Sequence, residues 1–189
     1  IFPSLLPQII EWMRSSEGLI KQNASMILSS MIENSQTQVP YFVEQIAQTV
    51  ISLLKESLEF QYSAFIVVYS LCHKVPDSMS PYVSELYPII MAGIHSQDVS
   101  VKGEAVRIIS VLPRIFQNNQ NFQNEFMTIF KEALTIANAP IDGPVDDQIL
   151  TISGEAVKRA ASLVKKSNNS QLLPPILSAI VHVAHLPSM

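Results

Sequence analysis

The sequence contains little cysteine, glycine or charge. It has one cysteine, Cys72, and five glycines, and only 15% of its residues are charged while 48% are apolar. A lone cysteine cannot form an internal disulfide, which excludes a disulfide-stabilised scaffold and is typical of a reducing compartment. The shortage of glycine and of long polar tracts argues against a disordered chain. The composition therefore predicts a folded protein with a sizeable apolar core.

The sequence also lacks the features of membrane, secreted and nucleic-acid-binding proteins. Its formal net charge is -4, which argues against a basic nucleic-acid footprint. No apolar run approaches the roughly 18–20 residues that cross a bilayer, and the longest candidate, residues 65–72, contains a tyrosine and a serine. Residues 1–3 carry none of the basic charge of a signal peptide. We therefore expect no membrane insertion and no nucleic-acid partner.

Motifs that carry chemistry are absent or incomplete. There is no glycine-rich phosphate-binding loop. Cys72 and His73 are neighbours on one predicted helix, so their side chains diverge, and Cys72 is expected to be a small buried apolar residue. His182 and His185 share a helical face without a third ligand nearby, which is too little for a metal site. We therefore expect no enzyme activity, no cofactor and no metal.

What the sequence does contain is a repeated helix. Residues 97–116 indicate an acidic turn followed by a helix, and its motif Gly-Glu-Ala-Val at 103–106 returns at 154–157. The apolar positions of this helix recur at helical spacing in two earlier segments. The predicted buried stripe of the central copy is Val101, Ala105, Ile108, Ile109 and Leu112. The same helix therefore occurs four times along the chain.

A second type of helix precedes each copy. It opens with proline and aromatic residues, at 3–10, at 40–42 and again at 81–83. Proline is tolerated in a first helical turn because its missing N–H has no partner there anyway. We call these the A helices and the repeated ones the B helices. The predicted pairs are 3–13 with 19–33, 40–56 with 58–75, 81–95 with 99–116 and 120–137 with 148–166, and 171–186 begins a fifth.

These pairs predict an all-α fold, an α-α superhelix of the HEAT/armadillo-like solenoid class with about four and a half helical hairpins. A period near 41 residues is that of HEAT and armadillo units and not the 34 of tetratricopeptide repeats. The Pro/Gly/Asp-rich loop at 138–147 accounts for the longer spacing before the last B copy. We expect a single array over 1–189, with repeats at approximately 1–36, 37–77, 78–118, 119–168 and, in part, 169–189.

Two B helices open with residues that resemble the HEAT pattern. Asp98 is followed four positions later by Lys102, and Glu17 by Lys21, and each pair is followed by an alanine three residues further on. In HEAT proteins such side chains form a ladder between neighbouring repeats, so the resemblance implies the same role here. The other two copies carry glutamine and serine at the basic position, which shortens that ladder.

The A-helix openings at 40–42 and 81–88, and the segment Leu-Leu-Pro-Pro-Ile-Leu at 172–177, resemble those of the importin-β (karyopherin-β) family. The resemblance implies a nuclear transport receptor of the cytoplasm and nucleus. Such a receptor wraps cargo or the small GTPase Ran on its concave face and meets phenylalanine-glycine nucleoporins between A helices. The alternative is a static HEAT scaffold of a phosphatase, condensin-type or tubulin-binding assembly. Acidic or neutral inter-helix turns count against tubulin binding.

Both ends of the sequence are apolar, at 1–5 and at 180–186. An array of stacked repeats normally carries polar caps at its ends. We therefore expect either further repeats on both sides, as in a fragment of a longer solenoid, or adhesive ends. Trp12, on the first A helix, is expected to pack in a core.

The helical spacing also selects candidate partner-binding residues. If the central stripe is buried, an open side of the B helices remains for protein partners. The Asp-rich loop would attract a basic cargo or a basic patch on a GTPase. Both sets also fit an ordinary solvated surface, so the two interpretations stay open at this point. The candidates are Glu104, Arg107, Arg114, Glu155, Lys158 and Lys165 on the helices and Asp142, Asp146 and Asp147 in the loop.

Overall fold

The computed structural model describes residues 2–35, 37–56, 60–109, 111–115, 131–136, 147–167, 170 and 173–185. Within these ranges every regular element is helical, so the fold is all-α as predicted. Short 3-10 turns at Val39–Phe42 and Ser80–Tyr82 lead into two of the A helices. The helices are α1 (Phe2–Met13), α2 (Gly18–Asn34), α3 (Val43–Glu56), α4 (Gln61–Lys74), α5 (Pro76–Met79), α6 (Val83–Ile94), α7 (Val99–Ile109), α8 (Leu112–Ile115), α9 (131–136), α10 (Asp147–Ser167) and α11 (Leu173–Ala184).

The chain forms two compact units, residues 1–93 and 94–189. In the first unit α1 packs against α2 and α3 packs against α4, so each A helix pairs with the B helix that follows it. The two hairpins meet through their B helices, because α2 packs along α4. This stacking of like hairpins is the solenoid arrangement that the repeat predicts.

The two B helices of the first unit differ in how much of their surface is buried. Each packs on one A helix and on the other B helix, but α2 buries a single stripe, whereas more than half of the residues of α4 are buried. A hydrogen bond of 2.8 Å joins the hydroxyls of Ser29 and Ser70 across the α2–α4 contact. The buried residues of α4 are Ser63, Ala64, Phe65, Val67, Val68, Ser70, Leu71 and Cys72.

The second unit repeats the same contact between B helices. α7 packs along α10, and α10 packs against the A helix α11. Helix α9 adds Leu134 and Ile136 to their common core, and Val99 closes it at the start of α7. The fully packed members of this core are Val106, Ile152, Ala156, Val157 and Ala179.

The predicted stripe of the central B helix is confirmed, because all five of its apolar residues are buried. The predicted single helix over 99–116 is wrong, since α7 ends at Ile109 and a separate turn, α8, begins at Leu112. The proline at position 113 accounts for the break, because a proline has no backbone N–H to donate and disfavours a continuous helix through the turn before it. The prediction for Trp12 is also wrong, because its side chain lies outside the buried stripe of α1 and is 44% exposed.

The turn before α7 is held by a side-chain cap. The Asp98 Oδ1 atom accepts hydrogen bonds from the backbone N–H groups of Ser100 (2.8 Å) and Val101 (3.2 Å). These N–H groups would otherwise have no partner in the first turn of the helix. Glu17 occupies the matching position before α2 but makes no side-chain capping bond.

We expect Asp98→Ala to lower the free energy of unfolding by about 0.5–2 kcal/mol, because two N–H groups of α7 lose their acceptor. Asp98→Asn should retain most of the stability, and Glu17→Ala serves as the matched control at the uncapped position. Urea unfolding followed by circular dichroism measures all three. A loss at Glu17 equal to that at Asp98 would contradict the assignment of the cap.

Val67 on α4 and Ile27 on α2 occupy the same position of the repeat, 40 residues apart. Val67 is fully buried, whereas Ile27 is 45% exposed. We expect Val67→Ala to cost on the order of 2 kcal/mol, since it removes methyl groups from a packed interface. Ile27→Ala should cost less than about 1 kcal/mol. Equal losses in urea unfolding would show that the stacking of α2 on α4 is not what buries Val67.

Candidate functional site: the open side of the B helices

We call the open side of the B helices the side that carries Arg107 and, two turns later, the position of Lys165. Its positions follow from the repeat, because Met26, Ile66, Arg107 and Lys158 are equivalent. Two turns further along each helix, Glu33, His73 and Lys165 are equivalent in the same way. The character of this side therefore differs between the units: in the first it combines apolar residues with Glu33 and His73, and in the second it is largely basic.

In the second unit each B helix carries a carboxylate that is paired within its own helix. The guanidinium of Arg107 donates from Nη1 to both carboxylate oxygens of Glu104, at 2.9 and 3.1 Å. The carboxylate of Glu155 lies 2.7 Å from Nη2 of Arg159 and 3.3 Å from Nζ of Lys158. The i,i+3 and i,i+4 spacing brings these groups together on one helix.

The prediction that Glu104 lies on the open side is wrong. Glu104 is buried, with 9% of its surface exposed, and Glu155 at the matching position is half-buried. Ser63, at the matching position of α4, is buried as well, so this position of the B helix is covered in more than one copy of the repeat. The helical spacing of apolar residues within one segment separates buried from exposed positions, but it does not show which further positions another part of the fold covers.

The basic side chains remain at the surface. Lys158 has 67% of its side chain exposed, Lys165 is exposed, and Arg107 is 39% exposed beside its buried carboxylate partner. Arg107 and Lys158 are therefore more exposed than the carboxylates with which they pair. A surface of this kind favours an acidic partner.

Four predicted residues cannot be placed in the same way. Asp142 and Asp146 lie outside the described residues. Asp147 is the first residue of α10 and Arg114 belongs to α8, but only the backbone of each is described. Their proposed contacts with partners stay predictions.

On the first unit the open side carries a cluster that the sequence pattern did not single out. The Glu33 carboxylate lies 2.8 Å from Nζ of Lys74 and 3.7 Å from Nδ1 of His73, and so joins α2 to α4. The ring of Tyr69 stacks on His73, with centroids 5.7 Å apart. The i,i+4 spacing of the two rings was the available signal.

Lys21 links the two hairpins in the manner that the HEAT resemblance implies. This lysine is buried, and its ammonium group lies 3.7 Å from the centroid of the Phe60 ring and 4.0 Å from the carboxylate of Glu56. A cation over an aromatic face is stabilised when it is removed from water. The side chain of α2 thus reaches the turn before α4.

The part of the chain that the structure describes contains no cluster of three potential metal ligands and no helix long and apolar enough to span a membrane. Its one cysteine is fully buried, and burial raises the pKa of the Cys72 thiol to about 12. A buried thiol with a high pKa is a poor nucleophile, because only the thiolate reacts.

Residues 11–160 match the family described as "Importin subunit beta-1-like, TPR repeats". This match covers most of the chain, with three B helices in full and α10 as far as residue 160. The chain belongs to the importin subunit beta-1-like repeat family. The spacing of 40 or 41 residues between its first three B helices is that of HEAT units, although the family description uses the name TPR.

Among solved structures the chain is similar to a crystal structure of an engineered protein from the Northeast Structural Genomics Consortium. The TM-score is 0.62 at 12% sequence identity, over 91% of this chain and 66% of the other. At this identity the likeness concerns the fold alone, which is again an all-α repeat. No curated protein matches the chain. The family is one of repeat scaffolds for protein interaction.

The buried thiol of Cys72 allows the packing of the core to be tested through the stability of the protein at alkaline pH. The unfolded thiol titrates near its ordinary pKa of 9.0, whereas the folded thiol stays protonated up to about 12. The stability that this burial contributes is therefore complete below pH 9 and is lost as the pH rises towards 12, by about 1.4 kcal/mol per pH unit.

We expect the advantage of the wild type over Cys72→Ala to shrink between pH 9 and 10.5, because the variant has no thiol to ionise in its unfolded state. Other groups titrate equally in both proteins, so urea unfolding of the pair isolates this effect. A stability difference that stays constant over that pH interval would contradict the burial of the thiol.

Proposed function

We propose that this chain is the protein-binding scaffold of a nuclear transport receptor, which binds cargo or Ran through the open side of its B helices. Membership of the importin subunit beta-1-like family supports the proposal. The exposed cations of α10 support it further, since they offer a protein partner a surface of one sign.

The proposed partner surface is acidic where it meets the second unit. Lys158, Lys165 and Arg107 would contact carboxylates of cargo or Ran, and the paired Glu104 and Glu155 would not oppose them. Charge complementarity of this kind speeds association and selects among partners. The loop carrying Asp142, Asp146 and Asp147 would meet a basic patch on the same partner.

The remaining parts of the proposal follow the family resemblance. Phenylalanine-glycine nucleoporins would bind in apolar grooves between A helices, and the protein would move between cytoplasm and nucleus. Tyr41, at the start of the second A helix, is 84% exposed and offers an aromatic contact at such a position.

A charge reversal on the open side tests the proposal. We expect the chain to bind Ran more tightly with GTP than with GDP, and Lys165→Glu to weaken binding to Ran or to an acidic cargo roughly tenfold, or about 1.4 kcal/mol. The matched control is Lys131→Glu, which reverses an exposed charge on the A helix α9. Titration calorimetry at two salt concentrations measures the affinity and its electrostatic part.

Equal affinities for the GTP and GDP forms of Ran, together with no effect of Lys165→Glu on binding, would contradict the transport assignment. Co-purification with a phosphatase or with chromatin proteins in that case would assign the chain to the static scaffolds instead.

A further inference from the structure

The methionines in the described part of the chain differ sharply in exposure. Met13 and Met79 are buried, with 0% and 1% of their surfaces exposed. Met31 and Met91 are half-buried. Met26 is 49% exposed, so among these methionines its side chain is the one that solvent reaches most readily.

Met26 lies where two surfaces of the first unit meet. It belongs to the open side of α2, at the position that Ile66 occupies on α4 and Lys158 on α10. It also borders a groove between α1 and α2. The other apolar residues of this groove are Phe2, Leu5, Ile27 and Met31. A change in the polarity of Met26 therefore alters the open side and the groove together.

The one cysteine does not compete with this methionine for oxidants. Cys72 is fully buried, and burial raises the pKa of its thiol to about 12. Oxidants attack the thiolate, which scarcely forms at neutral pH under these conditions. An oxidant that meets the folded first unit therefore finds an exposed thioether at Met26 and no reactive thiol.

The position of Met26 also decides what its oxidation does. A thioether is apolar, whereas its sulfoxide is polar. Met26 is not among the buried residues through which α2 packs, so a sulfoxide there keeps its oxygen in water and leaves the core intact. The same oxygen on Met13 or Met79 would enter the core without a hydrogen-bond partner from water. Oxidation of Met26 thus changes the surface and not the fold.

We propose that Met26 is a site of reversible oxidation, which makes the open side of the first unit more polar and weakens partner binding there. The oxidant is a peroxide. With hydrogen peroxide the O–O bond breaks, an S=O bond forms on the thioether, and the second oxygen leaves as water with both protons. The sulfur loses two electrons and the peroxide gains them. The effect on binding rests on the proposed function, whereas the oxidation itself does not.

Methionine sulfoxide reductases reverse the step, one enzyme for each epimer of the sulfoxide. Two thiols of the reductase are oxidised to a disulfide, the S=O bond breaks, and its oxygen leaves as water. The open side of the first unit would then regain its apolar side chain without new protein synthesis.

Peptide mass spectrometry after treatment with hydrogen peroxide tests the oxidation. We expect Met26 to be oxidised roughly tenfold faster than Met13 and Met79 in the folded chain, because buried side chains must wait for local opening. In urea, where burial is lost, all three should react at similar rates. The two reductases together should return the Met26 sulfoxide to methionine.

Titration calorimetry with the GTP form of Ran tests the effect on binding. We expect oxidation to weaken the binding of the wild type roughly fivefold, or about 1 kcal/mol, and reduction to restore it. Met26→Leu, whatever its own affinity, should no longer respond to peroxide, since leucine has no sulfur to oxidise. Met31→Leu is the matched control from the same groove and should keep the response.

Oxidation of Met26 no faster than that of Met13 in the folded chain, or a Met26 sulfoxide that the reductases leave in place, would overturn the inference. So would equal affinities of the oxidised and reduced wild type, or an unchanged peroxide response in Met26→Leu. A reduced chain that does not bind Ran would contradict the proposed function instead, and mass spectrometry would still decide the oxidation of Met26 by itself.

Discussion

The mutual burial of consecutive B helices is the constraint on which the structure depends. A two-helix unit cannot bury its apolar side alone, so neighbouring hairpins must supply the missing contact. In the first unit α2 and α4 provide it through serines and aliphatic side chains, and in the second α7 and α10 provide it around Ile152. The A helices complete each hairpin, and the B helices join one hairpin to the next.

This constraint divides the surface of a B helix into parts with separate roles. Helices α2, α4 and α10 each pack on one A helix and on one B helix, and other residues of these helices remain exposed. Arg107, Lys158 and Lys165 lie on the open side, which is why we assign partner binding to them and not to Glu104. Function in this family is thus placed on what stacking leaves exposed.

The sequence predicted the repeated hairpin and the buried stripe of the central B helix, because both depend on short-range helical spacing. It did not predict the burial of Glu104 or the exposure of Trp12, since these depend on which neighbour covers each side. The proline at position 113 was an indication in the sequence that α7 ends before it. The candidate site was therefore half predictable: the helices were identified, and the covering of position 104 was not.

Native-state hydrogen exchange tests the central claim most directly. Backbone amides exchange through local opening, and a helix with more of its residues buried, as α4 has, opens less readily than one with fewer. The account predicts that amides in the middle of α4 exchange much more slowly than those at matched positions of α2. Equal protection of the two helices, or stronger protection of α2, would contradict stacking through the B helices.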